Sequence, residues 1–344
     1  IEGGGIDFVG AASATIKNCI ITECGVRAGH GGNGAPGGDG GWGGWAHGGG
    51  AYIGSGDPRF INCQFLNNYV IPGSGGDGQA APGTPNTRGG SWDEVLDPWM
   101  DWDHEPAGGY LPYWKYSGYG AAVYCDEGSA PEFKNCYFSG NIANGPHTGK
   151  GTGIELPREG WYKIDRFGGA IYAAKNSTVT ITECIFENNR ADTLGPQETV
   201  THGSPVPTTQ EDDNYAYGGA ISLDSDAKVV LKDCVLEGGF AHQGGAVYTT
   251  ENSALQVADC DFVDNTAFFG GALYNHRSEA VVDDTHFIEN TAFGATAQGG
   301  AAFVFDSNSL FTNVVMDGNN SDLSGGALFV TGGDMTVKNA LIIN

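Results

Sequence analysis

The sequence predicts an all-β solenoid of about nine coils, in which short parallel strands stack and long loop insertions lie on one edge of the N-terminal coils. Three observations predict this fold. One motif recurs along the chain, its apolar residues alternate as in half-buried strands, and the interruptions fall at the same point of the repeat. Of the 344 residues 58 are glycine, but these do not follow the every-third spacing of collagen.

The repeat is clearest in residues 168–189, GGAIYAAKNSTVTITECIFENN. It combines a glycine pair, a run of alternating apolar residues and a closing FxxN. The later copies begin about every 25 to 29 residues, close to one turn of a solenoid built from three short strands. The nine copies, including a degraded first one, cover residues 15–24, 49–68, 120–141, 168–189, 218–239, 244–265, 270–290, 299–319 and 325–344.

Side-chain alternation within the repeat predicts which residues face the interior. In VTITECIF, Val179 and Ile181 share one face, and after a bend Cys184 and Phe186 share the next. A single coil cannot cover these residues, so each strand is expected to pair in parallel with the next coil, about 4.8 Å away. The glycine pairs suit a turn that needs a positive φ or a close approach of the backbone.

Two columns of side chains follow from the stacking. Asparagine closes most copies, and we expect it to adopt the left-handed conformation and to stack its amides into a ladder. The members are Asn68, Asn141, Asn189, Asn265, Asn290 and Asn319, with Cys24 and Gly239 as departures. The second column is aromatic, and its position depends on which way Ile171 points. If Ile171 faces the core, the rings form an exposed ridge on the outside of the solenoid. If Ile171 points outward, the rings are buried in the interior, which is the alternative that we favour. The members of this column are Tyr124, Tyr172, Tyr248, Tyr274, Phe303 and Phe329.

The eight cysteines predict buried free thiols rather than disulfides or a zinc site. Most occupy one repeat position, which later copies fill with Thr285, Val314 and Ala340, as expected of a small buried residue. Stacked neighbours lie within bridging distance, but their parallel inward vectors disfavour a disulfide. Cys24 and Cys125 lie off this column, and no CxxC pair is present. The column contains Cys19, Cys63, Cys136, Cys184, Cys234 and Cys260.

The recurring GGA, followed by Ile, Leu or Val and later by FxxN, resembles the repeat of chlamydial polymorphic outer-membrane proteins. It is also similar to that of the many bacterial surface proteins with right-handed parallel β-helix passengers. The resemblance covers all nine copies, although the first copy and EGGF at 237–240 depart from the motif. It implies a right-handed parallel β-helix, extracellular or at the cell surface and often adhesive, and it implies no catalytic residues.

Composition narrows the choice of partners. With 41 acidic against 16 basic residues, the formal charge of -25 repels phosphate backbones and anionic lipid, so nucleic acid is not an expected partner. No apolar run reaches the roughly 18 residues that a bilayer crossing needs, so membrane insertion is not expected either. The chain begins at Ile1, and we expect part of a longer exported protein, extracellular or at the cell surface.

Four stretches interrupt the repeat of a single domain spanning 1–344, at 25–48, 70–117, 144–167 and 190–217. Since they occupy the same point of successive coils, they are expected to emerge along one edge, often the binding face of repeat proteins. They contain all seven tryptophans. Either the rings hold the insertions together, or exposed rings contact a glycan or another protein. The candidate ligand-binding residues are Trp42, Trp45, Trp99, Trp102, Tyr113, Trp114 and Trp161.

The favoured function is a non-catalytic extracellular or cell-surface scaffold or adhesin. Its expected partner is a glycan or another protein. The last copy leaves strand edges unpaired, so the protein could also assemble with further copies of itself end to end. The alternative is a polysaccharide-degrading enzyme, a glycoside hydrolase or lyase, because DPWMDWDHEP at 97–106 supplies carboxylates that could flank a glycosidic bond. The catalytic candidates of that alternative are Asp101, Asp103 and Glu105.

The carboxylates of residues 97–106 also affect which ligand charge this insertion favours and whether it could bind a metal ion. They make the insertion anionic, so a neutral glycan fits it better than a uronate. The sequence predicts no cofactor and no assigned metal site. Calcium stays open, because the carboxylates around Asp101 and the run of Glu211, Asp212 and Asp213 offer oxygen ligands to a hard cation.

Overall fold

The computed structural model describes residues 2–10, 13–30, 44–73, 117–144, 166–191 and 216–343. Within these ranges the regular structure is β, and the strands pair in parallel with their neighbours from adjacent coils. The chain forms nine successive coils, and each coil contributes one strand to each of three sheets. The predicted fold class, an all-β parallel β-helix of nine coils with insertions on one edge of the N-terminal coils, is confirmed.

Three nine-stranded sheets form the walls of the solenoid. The first sheet consists of β1 (Ile6–Phe8), β6 (Ala51–Ile53), β11 (Val123–Cys125), β16 (Ile171–Ala173), β21 (Ile221–Leu223), β24 (Val247–Thr249), β28 (Leu273–His276), β32 (Ala302–Phe305) and β36 (Leu328–Thr331). The second consists of β2 (Thr15–Lys17), β7 (Arg59–Ile61), β12 (Glu132–Lys134), β17 (Thr178–Thr182), β22 (Lys228–Lys232), β25 (Ala254–Ala258), β29 (Glu279–Asp283), β33 (Asn308–Thr312) and β37 (Met335–Lys338). The third consists of β3 (Ile20–Thr22), β8 (Gln64–Leu66), β13 (Tyr137–Ser139), β18 (Ile185–Glu187), β23 (Val235–Glu237), β26 (Asp261–Val263), β30 (His286–Ile288), β34 (Val315–Asp317) and β38 (Leu341–Ile343).

Three shorter sheets lie at the edge where the insertions occur. The strands that lead into the insertions are β4 (Gly25–Arg27), β9 (Tyr69–Ile71), β14 (Ile142–Ala143) and β19 (Arg190–Ala191). Those that follow them are β5 (Ala46–His47), β10 (Gly118–Tyr119), β15 (Arg166–Phe167) and β20 (Ala216–Tyr217). Later coils contribute β27 (Thr266–Ala267), β31 (Thr291–Ala292) and β35 (Asn320–Ser321). The described ends of the four interruptions therefore belong to the coils, in strands too short to show a periodic pattern.

The interior is apolar at the positions that side-chain alternation predicts. Because the coils pair in register, equivalent phenylalanines lie over one another and stack. The ring centroids of Phe65 and Phe138 are 4.8 Å apart, and those of Phe138 and Phe186 are 4.6 Å apart. Burial of one such side chain stabilises the fold by roughly 1.5–3 kcal/mol. The four interior residues predicted for coil 4 are all buried: Val179, Ile181, Cys184 and Phe186.

The predicted asparagine ladder is present, and its members are buried. The side-chain nitrogen of Asn141 donates to Oδ1 of Asn189 at 2.8 Å and to the carbonyl oxygen of Phe65 at 2.9 Å. The expected left-handed conformation of the ladder residue is wrong, because the positive φ belongs to the residue before it. Asn188, for example, has a φ of 53°. The preceding residue makes the turn, which leaves the ladder asparagine to direct its amide inward. The equivalent amide bonds join Asn68 to Asn141, Asn265 to Asn290 and Asn290 to Asn319.

All eight cysteines are free, as predicted. Most are buried, but Cys19 in the first coil is exposed and Cys24 is half-buried. The thiol of Cys184 donates to the backbone carbonyl of Thr182 at 3.2 Å. At the same position of coil 7, Thr285 donates through Oγ1 to a backbone carbonyl at 2.7 Å. Besides filling space, this column therefore supplies hydrogen-bond donors that close the bend between the second and third sheets.

Candidate functional site

A sharp corner on the outside of the solenoid joins the strands that follow the insertions to the first sheet. Gly168 makes this corner in coil 4, with a φ of 62°. A Cβ on Gly168 would lie 2.1 Å from the carbonyl oxygen of Ile171. A Cβ on Gly169 would lie 2.0 Å from the carbonyl oxygen of Gly219, in the next coil. In coil 4, the first glycine of the pair is thus needed for the turn and the second for the close approach of two coils.

Two columns of outward-pointing rings line this corner. One comes from the middle residue of the first-sheet strands, and the other from the residue just before the glycine that makes each corner. Because the coils pair in register, rings at equivalent positions stack. The ring centroids of Tyr52 and Tyr124 are 5.3 Å apart, and those of Tyr119 and Phe167 are 5.2 Å apart. We define the N-terminal corner as His47, Tyr52, Tyr119, Tyr124, Phe167, Tyr172 and Tyr217.

The two columns cover each other. The ring centroid of Tyr119 lies 4.7 Å from that of Tyr172, and the centroid of His47 lies 4.6 Å from that of Tyr124. As a result Tyr172 is only 5% exposed, although it points away from the solenoid interior. Ile171 is fully buried on the opposite side of the strand. Neither alternative for the aromatic column is therefore right in full: Ile171 faces the core, and the rings outside it are nevertheless covered.

The second column is the part of the corner that the sequence reasoning did not predict. Its residues His47, Tyr119, Phe167 and Tyr217 each stand directly before the glycine that makes the corner, although in coil 3 that glycine is followed by Ala121 rather than by a second glycine. The available signal was a ring at the same place in four successive copies. That signal is hidden when the repeat is aligned from the glycine pair onward, because these residues then count as the ends of insertions.

Hydrogen bonding and burial keep the rings of the N-terminal corner uncharged. The hydroxyl of Tyr52 donates to Oδ2 of Asp126 at 2.6 Å, and that of Tyr172 donates to Oδ2 of Asp224 at 2.9 Å. Desolvation, followed by the charge of Asp224, raises the pKa of Tyr172 well above its usual value. Desolvation also lowers the pKa of His47 to about 4. At neutral pH the phenol of Tyr172 and the imidazole of His47 are therefore both uncharged.

The two carboxylates at the edge of the corner are engaged in holding it. Asp126 also accepts the backbone N–H of Glu127 at 2.8 Å, and Asp224 accepts that of Ser225 at 2.7 Å. Within the described ranges, no three His, Cys, Asp or Glu side chains come together as a metal site would require. Nor do those ranges contain a helix with the length and apolarity that a bilayer crossing needs.

Of the predicted ligand-binding residues, Trp45 lies in the described part of the chain, beside the first ring of the N-terminal corner. It is 39% exposed, and its ring centroid lies 6.3 Å from that of His47. An exposed indole next to stacked rings offers a ligand a rigid apolar face. The remaining ligand-binding, catalytic and calcium candidates lie outside the described residues: Trp42, Trp99, Trp102, Tyr113, Trp114, Trp161, Asp101, Asp103, Glu105, Glu211, Asp212 and Asp213.

Chain connectivity ties the insertions to the N-terminal corner. Each insertion is followed by β5, β10, β15 or β20, and each of these strands ends on a ring of the corner. Trp42 stands only a few residues before His47 in the chain, and Trp114 only a few before Tyr119. The tryptophan-bearing segments therefore all rejoin the solenoid at this one surface.

The fold and this corner define the protein as a parallel β-helix with a ring-lined outer edge. A family model described as right-handed beta helix region matches residues 121–342, more than half of the chain, and the chain belongs to that family. The match gives the hand of the solenoid, and it is compatible with both surface scaffolds and polysaccharide-active proteins. Comparison with curated proteins finds no match, and comparison with solved structures finds none either.

Proposed function

We propose that the protein is a non-catalytic scaffold or adhesin, extracellular or at the cell surface, that binds a neutral glycan at the N-terminal corner. The observation that carries this proposal is Trp45, which is 39% exposed at the start of a stack of rings that also includes the buried Tyr52 and Tyr172. Rings that are already fixed by stacking lose little conformational entropy when a ligand packs on them. A sugar ring presents the apolar face that such a contact favours.

Charge and repeat type support the ligand class and the location. The formal charge of -25 disfavours polyanionic partners, as do the carboxylates of Asp126 and Asp224, to which the neutral phenols of Tyr52 and Tyr172 donate. The resemblance of the GGA and FxxN repeat to bacterial surface proteins supports a place outside the cell. A protein surface is the other partner that exposed tryptophan suits.

A glycan-array screen of the full chain, with product analysis of the hits, tests the proposal. We expect Trp45→Ala to weaken binding of the hits at least about tenfold, as loss of a central aromatic contact does. The control is Ile185→Ala, which also removes a large exposed side chain, 45% exposed, but from β18 of the third sheet. This control should bind like the unmodified protein.

The outcomes of this screen separate the alternatives. Unchanged binding by Trp45→Ala, or no glycan bound by the unmodified protein, would contradict the proposal. Shortened products would instead favour the polysaccharide-degrading enzyme, with Asp101, Asp103 and Glu105 as the first residues to replace.

A further inference from the structure

The aromatic corner continues beyond the insertions, but its second column changes character in coils 6 to 9. The first-sheet rings remain stacked, with 4.8 Å between the centroids of Tyr274 and Phe303 and 5.1 Å between those of Phe303 and Phe329. The residues before the glycine pairs are now mostly polar, and parallel bridges join them from coil to coil: Gln243, Phe269, Gln298 and Ser324. We define the C-terminal corner as Gln243, Tyr248, Phe269, Tyr274, Gln298 and Phe303.

The polar side-chain groups of the two corners differ in whether they already form hydrogen bonds within the protein. In the N-terminal corner, the hydroxyls of Tyr52 and Tyr172 donate to carboxylates of the protein. In the C-terminal corner, the Tyr274 hydroxyl and the side-chain amides of Gln243 and Gln298 make no hydrogen bond within the protein as the structure describes it. All three side chains are half-buried, so they are reachable yet partly desolvated.

These three uncommitted groups are neutral and regularly spaced. Desolvation raises the pKa of Tyr274 to about 12, so its hydroxyl stays protonated at neutral pH. Gln243 and Gln298 lie two coils apart, about 9.6 Å at the spacing of paired strands, with Tyr274 in the coil between them. The first-sheet rings of this corner therefore repeat with the period of the coils, and the two amides lie one coil before and one coil after Tyr274.

The charge around the C-terminal corner disfavours an ionic ligand. Arg277 of coil 7 lies 3.7 Å from a carboxylate oxygen of Glu251 and 3.6 Å from one of Asp306. Its positive charge is therefore engaged by two carboxylates of the protein. Apolar rings with a few neutral donors and acceptors are the lining that a neutral ligand needs, because every buried polar group must find a partner.

We propose that the C-terminal corner is a subsite for a linear neutral glycan that runs along the solenoid axis. The inference rests on the proposed glycan binding at the N-terminal corner and extends that site past the insertions. Successive sugars of one chain would meet successive coils, with Gln243, Tyr274 and Gln298 as hydrogen-bond partners of their hydroxyls. Affinity would then depend on glycan length, because only a long chain reaches both corners.

Calorimetric titration of the full chain with cello-oligosaccharides, from the disaccharide upward, tests this inference. We expect affinity to rise with length. Gln298→Leu and Tyr274→Phe should each weaken binding of the long members about tenfold and leave the short members unchanged. Tyr274→Phe removes a hydroxyl that has no partner in the described protein, so its thermal stability should not fall. The control is Gln256→Leu, the same replacement at an exposed glutamine of β25 in the second sheet.

Each outcome of the titration either supports or overturns the proposed subsite. Length-dependent losses in Gln298→Leu and Tyr274→Phe, with none in Gln256→Leu, support the subsite. If both variants bind every length as the unmodified protein does, the subsite is overturned while glycan binding at the N-terminal corner stands. Absence of binding by the unmodified protein at every length overturns the subsite, and the glycan array then decides whether the N-terminal corner binds another neutral glycan. If Gln298→Leu is less stable, Tyr274→Phe alone decides.

Discussion

The side-chain nitrogen of Asn141 donates a hydrogen bond to Oδ1 of Asn189, 2.8 Å away in the next coil. Both residues are buried, and each stands directly before a strand that leads into an insertion, β14 for Asn141 and β19 for Asn189. The ladder therefore fastens one coil to the next at the point where the chain leaves the solenoid.

Replacement of a ladder residue should be costly. Asn141→Ala removes the bonds to Asn189 and to the carbonyl of Phe65, and it leaves the backbone N–H of Asn68 without its acceptor. Each buried group left unpaired costs about 1–3 kcal/mol, so we expect the free energy of unfolding to fall by about 2–4 kcal/mol. Denaturation in guanidinium chloride measures this loss.

Asn320→Ala is the matched control for the ladder, because Asn320 is exposed on β35. It should change the free energy of unfolding by no more than about 0.5 kcal/mol. Equal losses in Asn141→Ala and Asn320→Ala would mean that the buried amides contribute nothing beyond what an exposed asparagine does.

The glycine that turns the corner offers a second prediction. Gly168 and Gly128 both have a positive φ, 62° and 73°. Alanine at either position would therefore destabilise the fold by about 1–2 kcal/mol, because its side chain disfavours the left-handed backbone conformation. A Cβ on Gly128 meets nothing within 4 Å, whereas one on Gly168 meets the carbonyl oxygen of Ile171 at 2.1 Å. Gly168→Ala should therefore lower the thermal midpoint clearly more than Gly128→Ala, as followed by circular dichroism. Similar midpoints would show that the corner relaxes without cost.

Repetition explains which features were predictable from the sequence. Val179 and Asn189 occupy positions that recur with the same chemistry in nearly every coil, so their burial and stacking follow from the pattern. The positive φ was misplaced by one residue, because Asn188 and Asn189 have the same intrinsic preference for the left-handed region. Only the inward hydrogen bonds of Asn189 distinguish the two.

The aromatic corner was not predictable from alternation alone. Alternation places either Ile171 or Tyr172 in the interior without choosing between them, and it does not tell whether the outer residue is covered. Tyr172 is covered by Tyr119, which belongs to the preceding coil and lies outside the aligned part of the repeat. The contact is tertiary, so it required the register of two coils and the direction of the chain at the glycine pair.

The buried imidazole of His47 predicts a pH dependence of stability. Its pKa is about 4 in the folded protein against a usual value of 6.5, chiefly because burial disfavours the charged form. As the pH falls below about 6.5, the unfolded chain binds the proton first, so the folded state loses stability until the pH reaches about 4. The contribution of the neutral imidazole is fully present above that window.

Comparison with His47→Phe isolates this effect, since phenylalanine keeps a ring against Tyr124 but does not titrate. The carboxylates titrate in both proteins, so their contribution cancels in the difference between the two stability curves. We expect the unmodified protein to lose free energy of unfolding relative to His47→Phe as the pH falls from about 6.5 to about 4. Urea denaturation across this range measures the difference, and parallel curves would contradict the assignment.

Thiol reactivity tests whether the solenoid stays closed in solution. Reaction with an aromatic disulfide reagent needs a thiolate in contact with solvent, and burial raises the pKa of Cys125 by desolvation. In the native protein we expect exposed Cys19 to react rapidly and half-buried Cys24 more slowly, while all eight thiols react in denaturant. Cys19→Ala should remove the rapid phase, and Cys234→Ala, at a buried position of the same column, should leave it intact. Rapid reaction of further thiols would show that the coils open, and fewer than eight in denaturant would show that some cysteines are bridged.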